Sequence, residues 1–225
     1  VAPGKCSVTG SVKLATVHKL HNPERRLFDN DRPTVLYNPH FNRALGSWQK
    51  WGPQIVSAFA NQTQYNLVIA PHIRMFENAG KSARAEFEAL SIPGKIIADA
   101  GSIASCDMTY TLASDIFLGD VSSQAYEFIS NPRPCIFLNA HGVDWEWDKN
   151  YAFWHFGDVL TNVERVLPSI ETAQLKHFAI YKNAQVLASA RALGPDWRLA
   201  PERAATDILN RLLEHPAAAG AAVQP

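Results

Sequence analysis

Cysteine is scarce in this chain and falls in no pairing pattern. Cys6, Cys106 and Cys135 are odd in number and too scattered for a CxxC pair, which removes a disulfide framework and a cysteine-rich zinc site and fits a reducing cytoplasm. An excess of one charge is missing too. Lys+Arg and Asp+Glu both number 21, so no basic stripe argues for nucleic acid or an anionic membrane surface. No apolar run approaches the roughly 18 residues of a membrane span, and the N-terminus carries no charged-then-apolar leader. It also lacks an initiator Met, so VAPGKCSVTG reads as the start of a processed product or of a piece of a larger protein. GxxxxGK[ST], GxGxxG and GxSxG are absent, which takes the main support from kinase, dehydrogenase and hydrolase readings. His18, His21, His155, His177 and His215 form no HExxH-like pattern and read as structural or surface residues.

What remains is a globular composition, 47% hydrophobic over 225 residues, with a regular alternation. Short apolar runs occur at 33–38 (PTVLYN), 65–70 (YNLVIA), 94–99 (GKIIAD), 114–119 (SDIFLG), 133–139 (RPCIFLN) and 157–162 (GDVLTN). Successive apolar residues suit strands buried on both faces. Amphipathic stretches at 46–62, 78–91, 122–130, 163–186 and 200–216 read as helices, the fourth interrupted at Pro168. Strand and helix in alternation predict an α/β fold with a mostly parallel sheet and right-handed crossovers. Residues 1–30 read as a linker or the end of an interdomain segment, 31–216 as the domain, and 217–225 as a flexible tail.

Parallel α/β sheets bind ligands beyond the carboxyl ends of their strands. His40 follows the first strand, Pro71-His72 the second, Asp120 to Ser123 the fourth, and Asn139 to His141 the fifth, so four polar loops share one expected edge. Ser122 and Ser123 stand where a helix begins, and there unpaired N–H groups and the helix dipole favour an anion. The plain alternative is an N-cap, but Glu127 lies four residues beyond Ser123 and not three, which leaves it outside a capping box. On the same helix face as Ser123, it suits the hydroxyls of a ribose whose phosphates rest on the serines. Gln124 joins this candidate binding set, and Cys135, inside an apolar run, reads as a buried small hydrophobe.

These residues also carry a family resemblance. YTLASDIFLGDVSSQAYEFISNPRPCIFLN (110–139) resembles the "aD.lItDySS..fEf...kPiify" segment of the CDP-glycerol glycerophosphotransferases, teichoic-acid polymerases among them. VLYNPHF (35–41) is similar to that family's "vlYaPTfR", LVIAPHIR (67–74) to its "l.iRpHP", and SVTGSVKL (7–14) to its "vtGyPr.D". The resemblance implies the C-terminal, donor-binding half of a GT-B fold, Rossmann-like with helices on both faces. It further implies that His72 contacts the donor diphosphate and acts in catalysis, that Ser122 and Ser123 bind phosphate, and that Glu127 holds the ribose; His40, Asp120, Gln124 and His141, by their places at the strand ends and the helix start, are expected to complete the substrate site. No cofactor or metal is then required; a nucleotide-activated donor such as CDP-glycerol or a nucleotide sugar is the substrate, and a polymer or glycan the acceptor. The general base falls to an N-terminal domain, and the whole protein is expected in the cytoplasm, at most peripheral to the inner membrane. The chain departs from the pattern at His40, Asn42, Ala70, Ile73 and Val121, which thins the cationic groups expected near a phospho-substrate and leaves room for nucleotide-sugar chemistry.

Two other classes fit the same residues. Non-hydrolysing UDP-sugar 2-epimerases share the two-domain fold and a serine- and glutamate-bearing helix. A non-catalytic nucleotide-sensing or scaffold module is the third reading, motivated by the aromatics of WEWDKNYAFWHF (145–156), whose simpler role is to pack under the sheet edge or line the donor cleft.

Overall fold

The computed structural model describes residues 6–22, 25–194 and 196–214. Six strands form one sheet: β1 (Thr34–Asn38), β2 (Asn66–Ile69), β3 (Ile96–Ala98), β4 (Ile116–Gly119), β5 (Cys135–Leu138) and β6 (Asp158–Leu160). Their order is β3-β2-β1-β4-β5-β6 and every pairing is parallel. This is the Rossmann-like α/β arrangement, and its strand order reverses between β1 and β4. Each expected strand is present, shorter by one to three residues.

The apolar runs form strands because both faces are covered. In β1, Val35 and Tyr37 face a core shared with Ile55 and Phe59 of the helix after β1, Phe87 of the helix after β2, and Ile170. On β4 and β5, Phe117 and Phe137 stack with Phe128 and Phe153. Burial on both sides confines the polar residues of these strands to their ends, Thr34 and Asn38 in β1, Asn66 in β2 and Asp158 in β6, hence the apolar runs between.

The helices are α1 (Val12–Leu20), α2 (Trp48–Ala60), α3 (Lys81–Glu88), α4 (Ile103–Cys106), α5 (Thr109–Ala113), α6 (Gln124–Phe128), α7 (Val166–Lys176), α8 (Lys182–Leu193) and α9 (Ala200–Glu214). The expected break at Pro168 does not occur. Pro168 is the third residue of α7, in the first turn, where a backbone N–H has no intrahelical acceptor to lose. A π-helical turn, His177–Tyr181, links α7 to α8, and Asp158 of β6 holds it from both ends, bonding Lys176 Nζ at 2.5 Å and the Tyr181 hydroxyl at 2.8 Å. The helix expected over 122–130 shrinks to the five residues of α6.

Two compact units result. Asn22–Leu187 holds the whole sheet. The second joins the described residues before Asn22 to those from Ala188 onward, so that part of the stretch expected as a linker is a helix, α1. Within this unit α1 packs on α9 and on the turn Trp197–Leu199, with His18 edge-on to Trp197 at 4.8 Å. Ser7 and Arg211 both bond Asp207, at 2.6 and 3.0 Å. The expected tail 217–225 and His215 lie outside the described residues.

Candidate functional site

The site grows from the carboxyl end of β4, where Asp120 follows Gly119. Asp120 is wholly buried. Its Oδ2 accepts the backbone N–H of His40 at 2.9 Å and of Ser47 at 2.8 Å, its carbonyl accepts Trp154 Nε1–H at 3.2 Å, and its Oδ1 has no partner. Burial pushes the carboxyl up to about 6, against the opposing pull of those two N–H groups and of His141. Asp120 was expected to touch the ligand; enclosed at 0% exposure, it instead holds the loop from His40 to Ser47 against β4. Tyr37 supports the same clamp, its hydroxyl 2.7 Å from Ser47 Oγ, and burial raises its phenol with Asp120 adding to the effect.

That loop is closed tightly. The N–H groups of Leu45 and Gly46 both donate to Asn42 O, at 3.0 and 2.8 Å. A Cβ on Gly46 would lie 2.5 Å from His40 O, so the close approach requires glycine. His141, from the loop after β5, places its Nε2 3.0 Å from Gly46 O. The β1, β4 and β5 loops are thus joined by side-chain to backbone bonds at the point where strand order reverses.

The β2 loop meets them through aromatic contacts. His40 and His72 have ring centroids 6.0 Å apart, with Phe41 4.4 Å from His40 and 4.9 Å from His72. His72 caps the short turn Ile73–Met75, its Nδ1 accepting Arg74 N–H at 3.3 Å, while His40 Nδ1 accepts Asn42 N–H at 3.1 Å. Burial lowers both imidazoles, and the Arg74 charge lowers both further. Arg74 is the residue that reading the sequence missed. Its guanidinium lies 4.5 Å over the Phe41 ring; the comparison along the chain sought a cation before His72 and found Ala70, whereas the cation stands two residues after it.

On the β4 side, Ser122 is buried and its Oγ accepts Gln124 N–H at 3.2 Å, the capping role that was its plain alternative. Gln124 Nε2 donates to Thr111 Oγ1 at 2.9 Å. Ser123 is exposed and its side chain makes no cap bond; Glu127, half-buried, lies one turn further along α6. His40 and His72 thus stand together at the carboxyl edge and Ser123 is exposed at the start of α6, while Asp120, Ser122, Gln124 and His141 bond neighbouring loops and helices. Val121, Asn139 and His141 border a small cavity with Tyr151 and Trp154. The aromatic stretch accordingly packs inward: Tyr151, Phe153, Trp154 and Phe156 are buried, and Trp147 alone among its tryptophans is 92% exposed. Cys135 is buried and its thiol pushed up by burial, as a small hydrophobe should be. Among the described residues no His, Cys, Asp and Glu cluster is arranged to hold a metal ion, and no helix is long and apolar enough to cross a membrane.

The sequence matches no family model and no curated protein. Solved structures do share the fold. The wall teichoic acid polymerase TagF superposes with a TM-score of 0.56 at 13% identity over 90% of this chain and 48% of that one, and with a TM-score of 0.57 after a soak with CDPG. A putative UDP-N-acetylglucosamine 2-epimerase from Listeria monocytogenes superposes with a TM-score of 0.57 at 14% identity, over 95% of this chain and 55% of that one. This chain spans about half the length of the structures it resembles.

Proposed function

We propose that this chain is the nucleotide-donor-binding domain of a GT-B transferase that moves glycerol phosphate, another polyol phosphate or a sugar from an activated donor onto a cell-surface polymer. The observation that carries the reading is the meeting of His40, His72 and the Ser122-Ser123 loop at the carboxyl edge where the β1/β4 strand order reverses, the position at which doubly wound sheets bind nucleotides. The fold shared with TagF and the motif resemblance at 35–41, 67–74 and 110–139 support it.

In this mechanism the acceptor hydroxyl attacks the activated centre of the donor and the nucleotide leaves with its bond electrons. His72 donates through Nε2 to the departing phosphate oxygens, since its Nδ1 is engaged by the backbone. Ser123 adds a hydroxyl at the start of α6, and Glu127 accepts from the ribose hydroxyls. With five residues, α6 brings only a short stack of peptide dipoles, so side chains carry the charge stabilisation. The acceptor and the general base belong, in this reading, to a further domain, with the whole protein cytoplasmic or peripheral to the inner membrane. The chain by itself then binds nucleotide without turning it over.

Calorimetric titration with CDP, UDP, GDP and CMP tests the reading. One nucleotide binds, and Ser123→Ala and Glu127→Ala each weaken it about tenfold, as loss of a hydrogen bond to a charged group does. Absence of binding by all four, or substitutions without effect, overturns it. The likeness to the putative epimerase keeps one isomerase reading beside it: conversion of UDP-N-acetylglucosamine to its 2-epimer by the full-length protein would replace the transferase assignment.

A further inference from the structure

The aromatics that follow β5 pack inward with one exception. Tyr151, Phe153, Trp154 and Phe156 are buried, whereas Trp147 is 92% exposed. Its exposure does not come from a loose loop. Asp148 N–H donates to Trp145 O at 3.1 Å, which closes a turn with Glu146 and Trp147 at its tip. That turn is fastened on every side. The Trp145 ring lies 4.9 Å from His155 and 5.8 Å from Trp154, Glu146 O is 3.2 Å from His155 Nε2, and Asp148 caps the helical turn Lys149–Phe156, its Oδ1 accepting Asn150 N–H at 2.9 Å. The support beneath it belongs to the candidate site: Trp154 Nε1 donates to Asp120 O, and Phe153 and Phe156 stand edge-on to Tyr126 of α6. Trp147 is thus held in solvent at the carboxyl edge, on a base that also packs against the helix carrying Glu127.

An indole fixed in water forgoes the burial that its neighbours obtain. Having already lost its conformational freedom, it stacks on a flat ligand at little further entropic cost. Charge narrows the ligand. Asp144, Glu146 and Asp148 surround Trp147 in the chain, all of them exposed, and Lys149 is the one cation between 144 and 149. Carboxylates accept hydrogen bonds and donate none, so they favour a partner rich in hydroxyls and repel one that carries phosphates. A pyranose meets both demands, with its apolar C–H face on the indole and its hydroxyls toward the carboxylates. Poly(glycerol phosphate) has no flat ring and bears a negative charge in every unit.

We infer that Trp147, with Asp144 and Glu146, is a platform for a neutral pyranose glycan, the acceptor chain of the proposed transfer, and that it selects a sugar polymer over a polyol phosphate. The platform stands on the geometry and charge of the turn; naming its ligand the acceptor rests on the donor-domain reading above. The reacting end of that glycan stays with the further domain, and the sugars behind it cross this turn.

The test uses the whole chain with Trp147→Ala and Trp147→Phe, changes at an exposed side chain that leave the core untouched. Maltohexaose, cellohexaose, chitohexaose, poly(glycerol phosphate) and the nucleoside diphosphates are titrated in turn. Affinity is read by calorimetry, and the Trp147 indole N–H is followed by NMR, its signal identified by its loss in Trp147→Phe. At least one neutral oligosaccharide moves that signal, and Trp147→Ala weakens its binding about tenfold. Trp147→Phe weakens it less, because the smaller ring keeps part of the stack. Poly(glycerol phosphate) and the nucleotides leave the indole signal where it is. The inference is overturned if no oligosaccharide moves the signal or if Trp147→Ala binds the oligosaccharide as tightly as wild type. A shift caused by poly(glycerol phosphate) overturns it in favour of a polyanion, and one caused by a nucleotide assigns the ring to the donor. Oligosaccharide binding through Trp147 while every nucleotide fails to bind sustains the platform and sinks the donor reading alone. Nucleotide binding without any oligosaccharide shift does the reverse.

Discussion

Asp120 carries a cost that the fold accepts in order to hold a loop. A carboxylate with one oxygen on two backbone N–H groups and the other unpartnered is poorly compensated for its burial, and its pKa rises to about 6 accordingly. The folded value lies above the unfolded one, near 4, so the native state binds the extra proton. The stability this group contributes is therefore fully present below about pH 4 and is lost as pH rises through about 6, a change on the order of 3 kcal/mol. Asp120→Asn abolishes that slope, since the amide does not titrate. Denaturant unfolding of both proteins from pH 4 to pH 7 checks this, and parallel stability curves would contradict it. The same substitution loosens His40, because its backbone N–H and that of Ser47 lose a charged acceptor. The sequence placed Asp120 at the carboxyl edge of the sheet but not its direction, because burial of a side chain at a strand end depends on the loops that close over it, here those of His40–Ser47 and Trp154.

Among the elements, the strands were the most readable and the junctions the least. PTVLYN and RPCIFLN are apolar on successive residues because β1 and β5 are covered on both faces, and that pattern needs no tertiary knowledge. Pro168 misled because a proline's effect depends on its place in the helix: Asn162 caps the short turn Val163–Arg165 by accepting Glu164 N–H, that turn runs straight into α7, and Pro168 falls in the first turn of α7. Packing between β5 and β6 was equally invisible. Gly157 lies beside Cys135, and a Cβ there would sit 2.0 Å from Cys135 O, a backbone atom that does not yield. Gly157→Ala therefore forces β6 away from β5 and costs at least about 2 kcal/mol. An unfolding free energy from urea denaturation within about 0.5 kcal/mol of wild type would show that the strand pair absorbs the methyl freely.

For the whole molecule, pairing between distant segments escaped a local reading most completely. The association of α1 with α9 joins residues nearly two hundred positions apart, and Ser7 bonding Asp207 at 2.6 Å leaves no periodicity behind. Arg74 escaped for a related reason, since only the fold shows that it lies on Phe41. The convergence of the loops after β1, β2, β4 and β5, by contrast, follows from parallel topology as soon as the strands are recognised. That convergence is the central claim, and backbone amide NMR mapping during titration with CDP, UDP and GDP tests it most directly. The account predicts that one nucleotide shifts amides at 40–47, 72–76, 121–127 and 139–143 and leaves the opposite edge of the sheet unmoved. Shifts centred on the amino ends of the strands, or on α9, would place the ligand elsewhere and contradict it.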